Sequence, residues 1–230
     1  MPFETSQESL LPRTPVSFEG LETREPLCRA VALSELLDLG LVARGHFVLS
    51  SGRHSDSFID KRIITGNRKA QEIIGRLFAE EIQRFEFDML AGPATGGNEI
   101  SQIAMDAYYE TTHKPVLRTR MTKTESGQDV QCPFDRERVK RKRILLLDDT
   151  ATSGSSILQA KEAIEHIGGE VAGVIVLVNR NPKAVNEKSI KTPVNSIFKM
   201  QLKSWPKERV PGWLRNVPMN TDLGHGGKSS

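Results

Sequence analysis

The sequence predicts an α/β fold, with a central, mostly parallel sheet flanked by helices. Three observations predict it. Mainly apolar runs at 87–91, 144–147 and 171–178, the last of them β-branched, read as strands of a parallel sheet, the run at 144–147 as a buried one. Between such runs lie helical segments with one apolar face, such as 68–84, where Ile73, Ile74, Leu77, Phe78 and Ile82 recur at helical spacing. Strands alternating with helices imply parallel crossover units, and two of the strands run into turns of small residues, where such sheets collect their ligands.

At 230 residues, the chain suits one α/β domain with extensions, and it is long enough to bury a substantial core. Hydrophobic residues at 37% and charged residues at 27% are ordinary for a water-soluble globular protein, and no apolar stretch reaches membrane-spanning length. The first residues lack an apolar signal core, and Glu4, Glu8, Glu19 and Glu22 oppose a transit peptide. Cys28 and Cys132 make neither a disulfide framework nor a zinc site, so a reducing cytoplasm is expected. A net charge of +3 favours phosphate-rich ligands only weakly.

Along the chain, residues 1–26 carry Pro2, Pro12, Pro15 and Pro26 and read as a flexible extension without a core. A main domain is expected over 27–200, and a C-terminal extension over 201–230 whose Gly-His-Gly-Gly-Lys-Ser-Ser end is frayed. A short helix is predicted near Ala30 to Leu39, with Leu33, Leu36 and Leu37 on one face and Gly40 as its stop. His46–Leu49 and Ser57–Lys61 read as extended pieces around a polar turn. The strand 87–91 leads into Gly92-Pro93-Ala94-Thr95-Gly96-Gly97 and a helix reaching about Thr111; a strand at 115–117 follows. Residues 119–142 read as a polar loop, longer than a compact domain keeps without a purpose. After the strand at 144–147 comes a helix over about 155–167, with Ile157, Leu158, Ile164 and Ile167 as its buried stripe.

The most informative segment is 144–156, Ile-Leu-Leu-Leu-Asp-Asp-Thr-Ala-Thr-Ser-Gly-Ser-Ser. A buried strand ends in two carboxylates, Asp148 and Asp149; a run of small residues, Thr150, Ala151, Thr152, Ser153, Gly154, Ser155 and Ser156, then opens a helix. Backbone N–H groups and the positive helix end suit a phosphate dianion, small side chains let the backbone approach it, and the carboxylates can accept hydrogen bonds from sugar hydroxyls. A solvated turn and an ordinary helix cap is the plainer alternative. The run Asp-Asp-Thr-Ala-Thr-Ser-Gly-Ser resembles the phosphoribosyl pyrophosphate (PRPP) signature of the type I phosphoribosyltransferases, which implies that fold.

Ribosyl transfer from PRPP requires an anchored 5-phosphate, a held pyrophosphate and tolerance of positive charge on the sugar. The first task falls to Thr150–Ser156, and Ala94, Thr95, Gly96 and Gly97 form a credible pyrophosphate loop. Mg2+ is the expected ion, bound mainly through PRPP oxygens and waters, with Asp148 and Asp149 as candidate contacts. The same two residues would favour an oxocarbenium-like sugar. In the polar stretch, Arg120 and Lys123, beside Arg118, suit a loop that closes over the leaving group about Gly127 as a hinge, and a homodimer whose interface such a loop could cross is expected. A plain surface loop is the alternative there, and the cations Arg136, Arg138, Lys140, Arg141, Lys142 and Arg143 read as a solvated lead-in to the strand.

Among type I enzymes the chain is most similar to orotate phosphoribosyltransferases. The resemblance spans about 30–182 and rests on Glu35-Leu36-Leu37, on Gly45 through Asp60 with its Phe47-Val48-Leu49-Ser50-Ser51-Gly52 core, and on Val178-Asn179-Arg180. It implies a small N-terminal hood over about 30–64 that covers the base, with Phe58 packed on it and Ser51, Gly52 and Arg53 near it, and Arg180 paired with the orotate carboxylate. Departures exist: Ser50 and Gly96 stand where the family usually has lysine, and Glu125 where its mobile loop has histidine. The expected reaction is orotate plus PRPP to orotidine 5-monophosphate and pyrophosphate; the alternatives are transfer to a purine or other base, and a non-catalytic PRPP-binding regulator touching nucleic acid through 136–143. Nucleic acid and membrane are not expected partners.

Overall fold

The computed structural model describes residues 26–49, 51–94, 96–125, 127–131 and 133–224, so the N-terminal extension up to residue 25 and the glycine-rich end of the tail lie outside it. Helix α1 (Pro26–Asp38) begins four residues before its expected start, with proline at the first helical position, where its missing N–H costs nothing. Strands β1 (Val42–Val48) and β2 (His54–Ile59) form an antiparallel pair. Lys61, expected to extend the second strand, instead opens α2 (Lys61–Gly66), because the Asp60 side chain accepts from Arg62 N–H and caps the turn. Helix α3 (Arg68–Ile82) follows, capped by Asn67.

The central sheet is built from β3 (Met89–Ala91), β4 (Leu117–Arg118), β7 (Arg143–Ala151), β8 (Glu170–Asn179) and β9 (Val194–Lys199), all parallel, in the order β4-β3-β7-β8-β9. Its two central strands divide their side chains between two cores. Leu145, Leu147, Ile175 and Leu177 face α3 and α4 (Gly96–Thr112), together with Ile74, Phe78, Ile100 and Ala104. Ile144, Leu146, Val174 and Val176 face α6 (Ser155–His166), meeting Ile157, Ala160 and Ile164. Burial on both faces is why these strands read as continuous apolar runs. Helices α3 and α4 approach closely at Gly75, where a Cβ would stand 2.8 Å from that of Ala107.

Residues 119–142 are not a structureless loop. They hold a hairpin, β5 (Met121–Thr124) and β6 (Gly127–Val130), and helix α5 (Pro133–Val139). Met121 and Val130 face each other across the hairpin and are buried, while Asn98 of α4 receives Met121 N–H on Oδ1 and donates its Nδ2 to the Met121 carbonyl. Two apolar anchors and an amide clamp hold a segment whose composition is otherwise polar.

A one-turn helix, α7 (Glu187–Ile190), joins β8 to β9, and past β9 the chain returns to the hood. Strand β10 (Ser204–Trp205) pairs antiparallel with β2, giving a three-stranded sheet β1-β2-β10, and α8 (Gly212–Arg215) follows. The start of the segment read as a C-terminal extension is thus integral to the hood sheet. Among the described residues, no helix is long and apolar enough to cross a membrane.

Candidate active site

Strand order reverses between β3 and β7: from β3 the chain goes first to β4 on one side, then to β7 on the other. At such a point the loops leaving the two strands diverge and open a crevice. The loop 92–96 leaves β3 there, and 152–154 leaves β7, so both glycine-bearing turns predicted to handle phosphate lie together at the carboxyl ends of parallel strands.

Strand β7 continues through Ala151, carrying Asp148 and Asp149 at its end rather than just beyond it. Both are almost fully buried. Asp149 N–H donates to Asp148 Oδ1 at 2.9 Å. The Asp149 carboxylate accepts from Lys61 Nζ at 2.7 Å and from Thr150 Oγ1 at 3.1 Å. Burial, and next the negative charge of Asp149, push the Asp148 carboxyl up to about 8, with Lys61 and the Asp149 amide pulling the other way. Two acids this close to each other in a dry site suit a ligand that brings hydroxyls or a cation.

The glycines of the first loop make the crevice possible. A Cβ on Gly97 would sit 2.7 Å from the Leu147 carbonyl, and one on Gly96 would sit 2.0 Å from Asp149 Oδ2. The loop backbone therefore lies directly against the acidic pair. Ala94 is buried and Thr95 lies outside the described residues. At the second loop, Gly154 adopts φ +78° against Ile190 and Val185 and, as the N-cap of α6, offers no side chain to it; Ser153 Oγ accepts from Ser155 N–H at 3.4 Å. Thr152, Ser153, Ser155 and Ser156 are exposed around that helix start. A cleft of about 290 Å³ beside Asp149 is lined by Lys61, Arg62, Ile64, Thr65, Gly96 and Glu99.

Other predicted residues are more dispersed. Arg180, just past β8, is partly buried; its backbone N–H donates to the Ala151 carbonyl, its buried Nε has no partner, and desolvation lowers its pKa. An unpartnered buried guanidinium nitrogen is costly, so it suits an anionic ligand. Phe58 in β2 is half-buried, its ring 5.5 Å from that of Phe47. Ser51, Gly52 and Arg53 are exposed on the hood turn, where Arg53 donates to Ser204 Oγ and to the Ser204 carbonyl of β10. Arg120, just before β5, and Lys123 within it are exposed and do not line the cleft beside Asp149.

Two residues at the site carried no sequence signal. Lys61 follows the hood strand with no motif around it, yet it reaches across to β7. Gln128 of β6 accepts from Ala94 N–H at 2.8 Å and donates to the Ser156 carbonyl at 3.0 Å, tying the two loops together. His46 and His54, without metal-ligand spacing in the sequence, are joined by a 2.7 Å hydrogen bond inside the hood, and no cluster of metal-ligating residues occurs among the described residues. In the basic run, Arg136, Arg138, Lys140, Lys142 and Arg143 each pair with a carboxylate.

The sequence matches the phosphoribosyl transferase domain family over residues 62–209. An orotate phosphoribosyltransferase of Caldanaerobacter subterraneus is 30% identical over 186 residues, 79% of this chain and 90% of its own length. The chain belongs to the orotate phosphoribosyltransferase family. A second relative of that name, from Pyrococcus abyssi, is 33% identical over 65% of this chain and 80% of its own length. The crystal structure of the Mycobacterium tuberculosis orotate phosphoribosyltransferase in complex with PRPP superposes with a TM-score of 0.59 at 27% identity, covering 75% of this chain and 96% of that one. The family match begins at Arg62, so most of the hood lies outside it, while β3, β7 and both loops lie within.

Proposed function

We propose that the chain transfers the ribosyl 5-phosphate group of PRPP to orotate, giving orotidine 5-monophosphate and releasing pyrophosphate. The observation that carries the reading is the meeting of Asp148 and Asp149 with the Gly96 backbone and the glycine-led start of α6 at one crevice. Family membership and orotate-specific relatives support the choice of base.

In this reading, Thr150–Ser156 and the first turn of α6 hold the 5-phosphate through backbone N–H groups and hydroxyls. Ala94–Gly97 hold the pyrophosphate, where the absent side chains allow backbone contact. Asp148 and Asp149 grip the ribose hydroxyls, and their charge favours the electron-poor sugar that forms as the bond to pyrophosphate lengthens. Mg2+ fits this donor set, since two adjacent carboxylates beside a phosphate loop are hard oxygen ligands. When bound, the ion would neutralise charge on the departing pyrophosphate. Arg180, with its unpartnered Nε, supplies the cation for the orotate carboxylate, and Phe58, Ser51, Gly52 and Arg53 border the base from the hood. Arg120 and Lys123, exposed here, act on the leaving group of a neighbouring subunit in a homodimer.

The test is pyrophosphate release with PRPP and Mg2+, offering orotate, adenine, guanine and hypoxanthine in turn. Release with orotate alone is expected. Release with a purine and none with orotate would overturn the base assignment, and silence with all four bases would overturn the enzymatic reading.

A further inference from the structure

The cleft beside Asp149 contains a cation to which the roles above give no task. Lys61 opens α2 directly after the hood strand, and its ammonium donates to Asp149 Oδ1 at 2.7 Å. The two ends of this pair differ sharply: the Lys61 side chain is 55% exposed, that of Asp149 only 4%. The carboxylate is fixed by β7 and by Thr150, whereas the lysine stem is free to swing. An ion pair with one end in water is weak enough to exchange for a better partner.

A better partner has a place to arrive. The pyrophosphate assigned above to 94–97 would lie against Gly96, which shares the cleft with Lys61. Position 96 itself cannot supply a cation, because a Cβ there would stand 2.0 Å from the Asp149 carboxylate. Arg62, the other cation of this cleft, is held by Asp60 through three side-chain contacts of 2.8–3.2 Å. Glu99 on the opposite wall adds a negative charge, which makes a mobile cation more necessary for a polyanion.

We propose that Lys61 is the residue that meets the pyrophosphate group of PRPP. In the free chain it neutralises Asp149; when PRPP binds, it transfers its ammonium to the pyrophosphate oxygens and frees Asp149 for the ribose hydroxyls. This inference rests on the PRPP reading of the crevice.

Calorimetry separates the two claims. Wild type, Lys61→Gln and Lys61→Arg are titrated in Mg2+ with PRPP, with pyrophosphate and with ribose 5-phosphate, which has the sugar phosphate but no pyrophosphate. Loss of a charged hydrogen bond should weaken PRPP and pyrophosphate by about tenfold or more in Lys61→Gln. Ribose 5-phosphate should change by less than about twofold, and Lys61→Arg should recover part of the loss. In turnover, KM for PRPP should rise while KM for orotate stays constant. Equal losses for PRPP and ribose 5-phosphate would reduce Lys61 to a prop for Asp149 and overturn the proposal, as would an indifferent Lys61→Gln. A wild type that binds neither PRPP nor ribose 5-phosphate would overturn the reading of the crevice as well.

Discussion

Gly96→Ala adds one methyl group where the loop touches the acid. Gly96 opens α4 with φ outside the left-handed region, so on backbone grounds alanine should gain stability, up to about 1 kcal/mol. The new Cβ, however, would lie 2.0 Å from Asp149 Oδ2 and 2.6 Å from Cγ. Asp149 is a short, buried side chain on β7 that accepts from Thr150, so it cannot yield without losing that bond. Overpacking of this kind costs about 1–3 kcal/mol, enough to reverse the backbone gain. For a chain of this size that is a fall in Tm of a few degrees, on the order of 2–4 °C per kcal/mol. Displacing the carboxylate should also cost at least about tenfold in kcat/KM for PRPP. Differential scanning fluorimetry and a pyrophosphate-release assay measure both. A variant that melts at or above wild type with an unchanged KM for PRPP would refute the close approach of loop and acid.

Three further outcomes follow from the same geometry. Asp148 holds a proton up to about pH 8 in the fold, against an ordinary 3.8, so stability falls as pH rises through that window; Asp148→Asn should match wild-type Tm near pH 4, exceed it by more than about 3 °C at pH 8, and lose turnover, as melting curves across pH will show. Gln128→Ala removes the link between Ala94 N–H and the Ser156 carbonyl and should raise KM for PRPP by about threefold to tenfold, read from initial rates. Arg180→Gln should raise KM for orotate by at least about tenfold and leave PRPP binding intact by calorimetry.

The parts of the molecule visible in the sequence are those whose physics is local. Strand β7 is buried on both faces, so Ile144–Leu147 appear as an unbroken apolar run, and the run of small residues after it stands out against it. The hairpin β5–β6 is hidden because its strands have four residues each and only Met121, Gln128 and Val130 are buried; the clamp from Asn98 lies 23 residues away. In β9 the tight burial begins at Ile197, leaving Val194-Asn195-Ser196 looking like a loop. Strand β10 is two residues long and exists because β2 offers a free edge. Lys61 and the His46–His54 pair depend on tertiary placement, on a reach of 88 residues and on the register of two antiparallel strands, which no local pattern encodes. Arg180 is legible by its position after a strand, but its unpartnered nitrogen is not.

Calorimetric titration of PRPP with Mg2+ into wild type and Asp149→Asn tests most directly whether the crevice between β3 and β7 holds a phosphorylated pentose. Saturable heat in wild type that is reduced at least about tenfold in affinity by the substitution is the predicted result. No binding to wild type, or equal affinity in both, would contradict it.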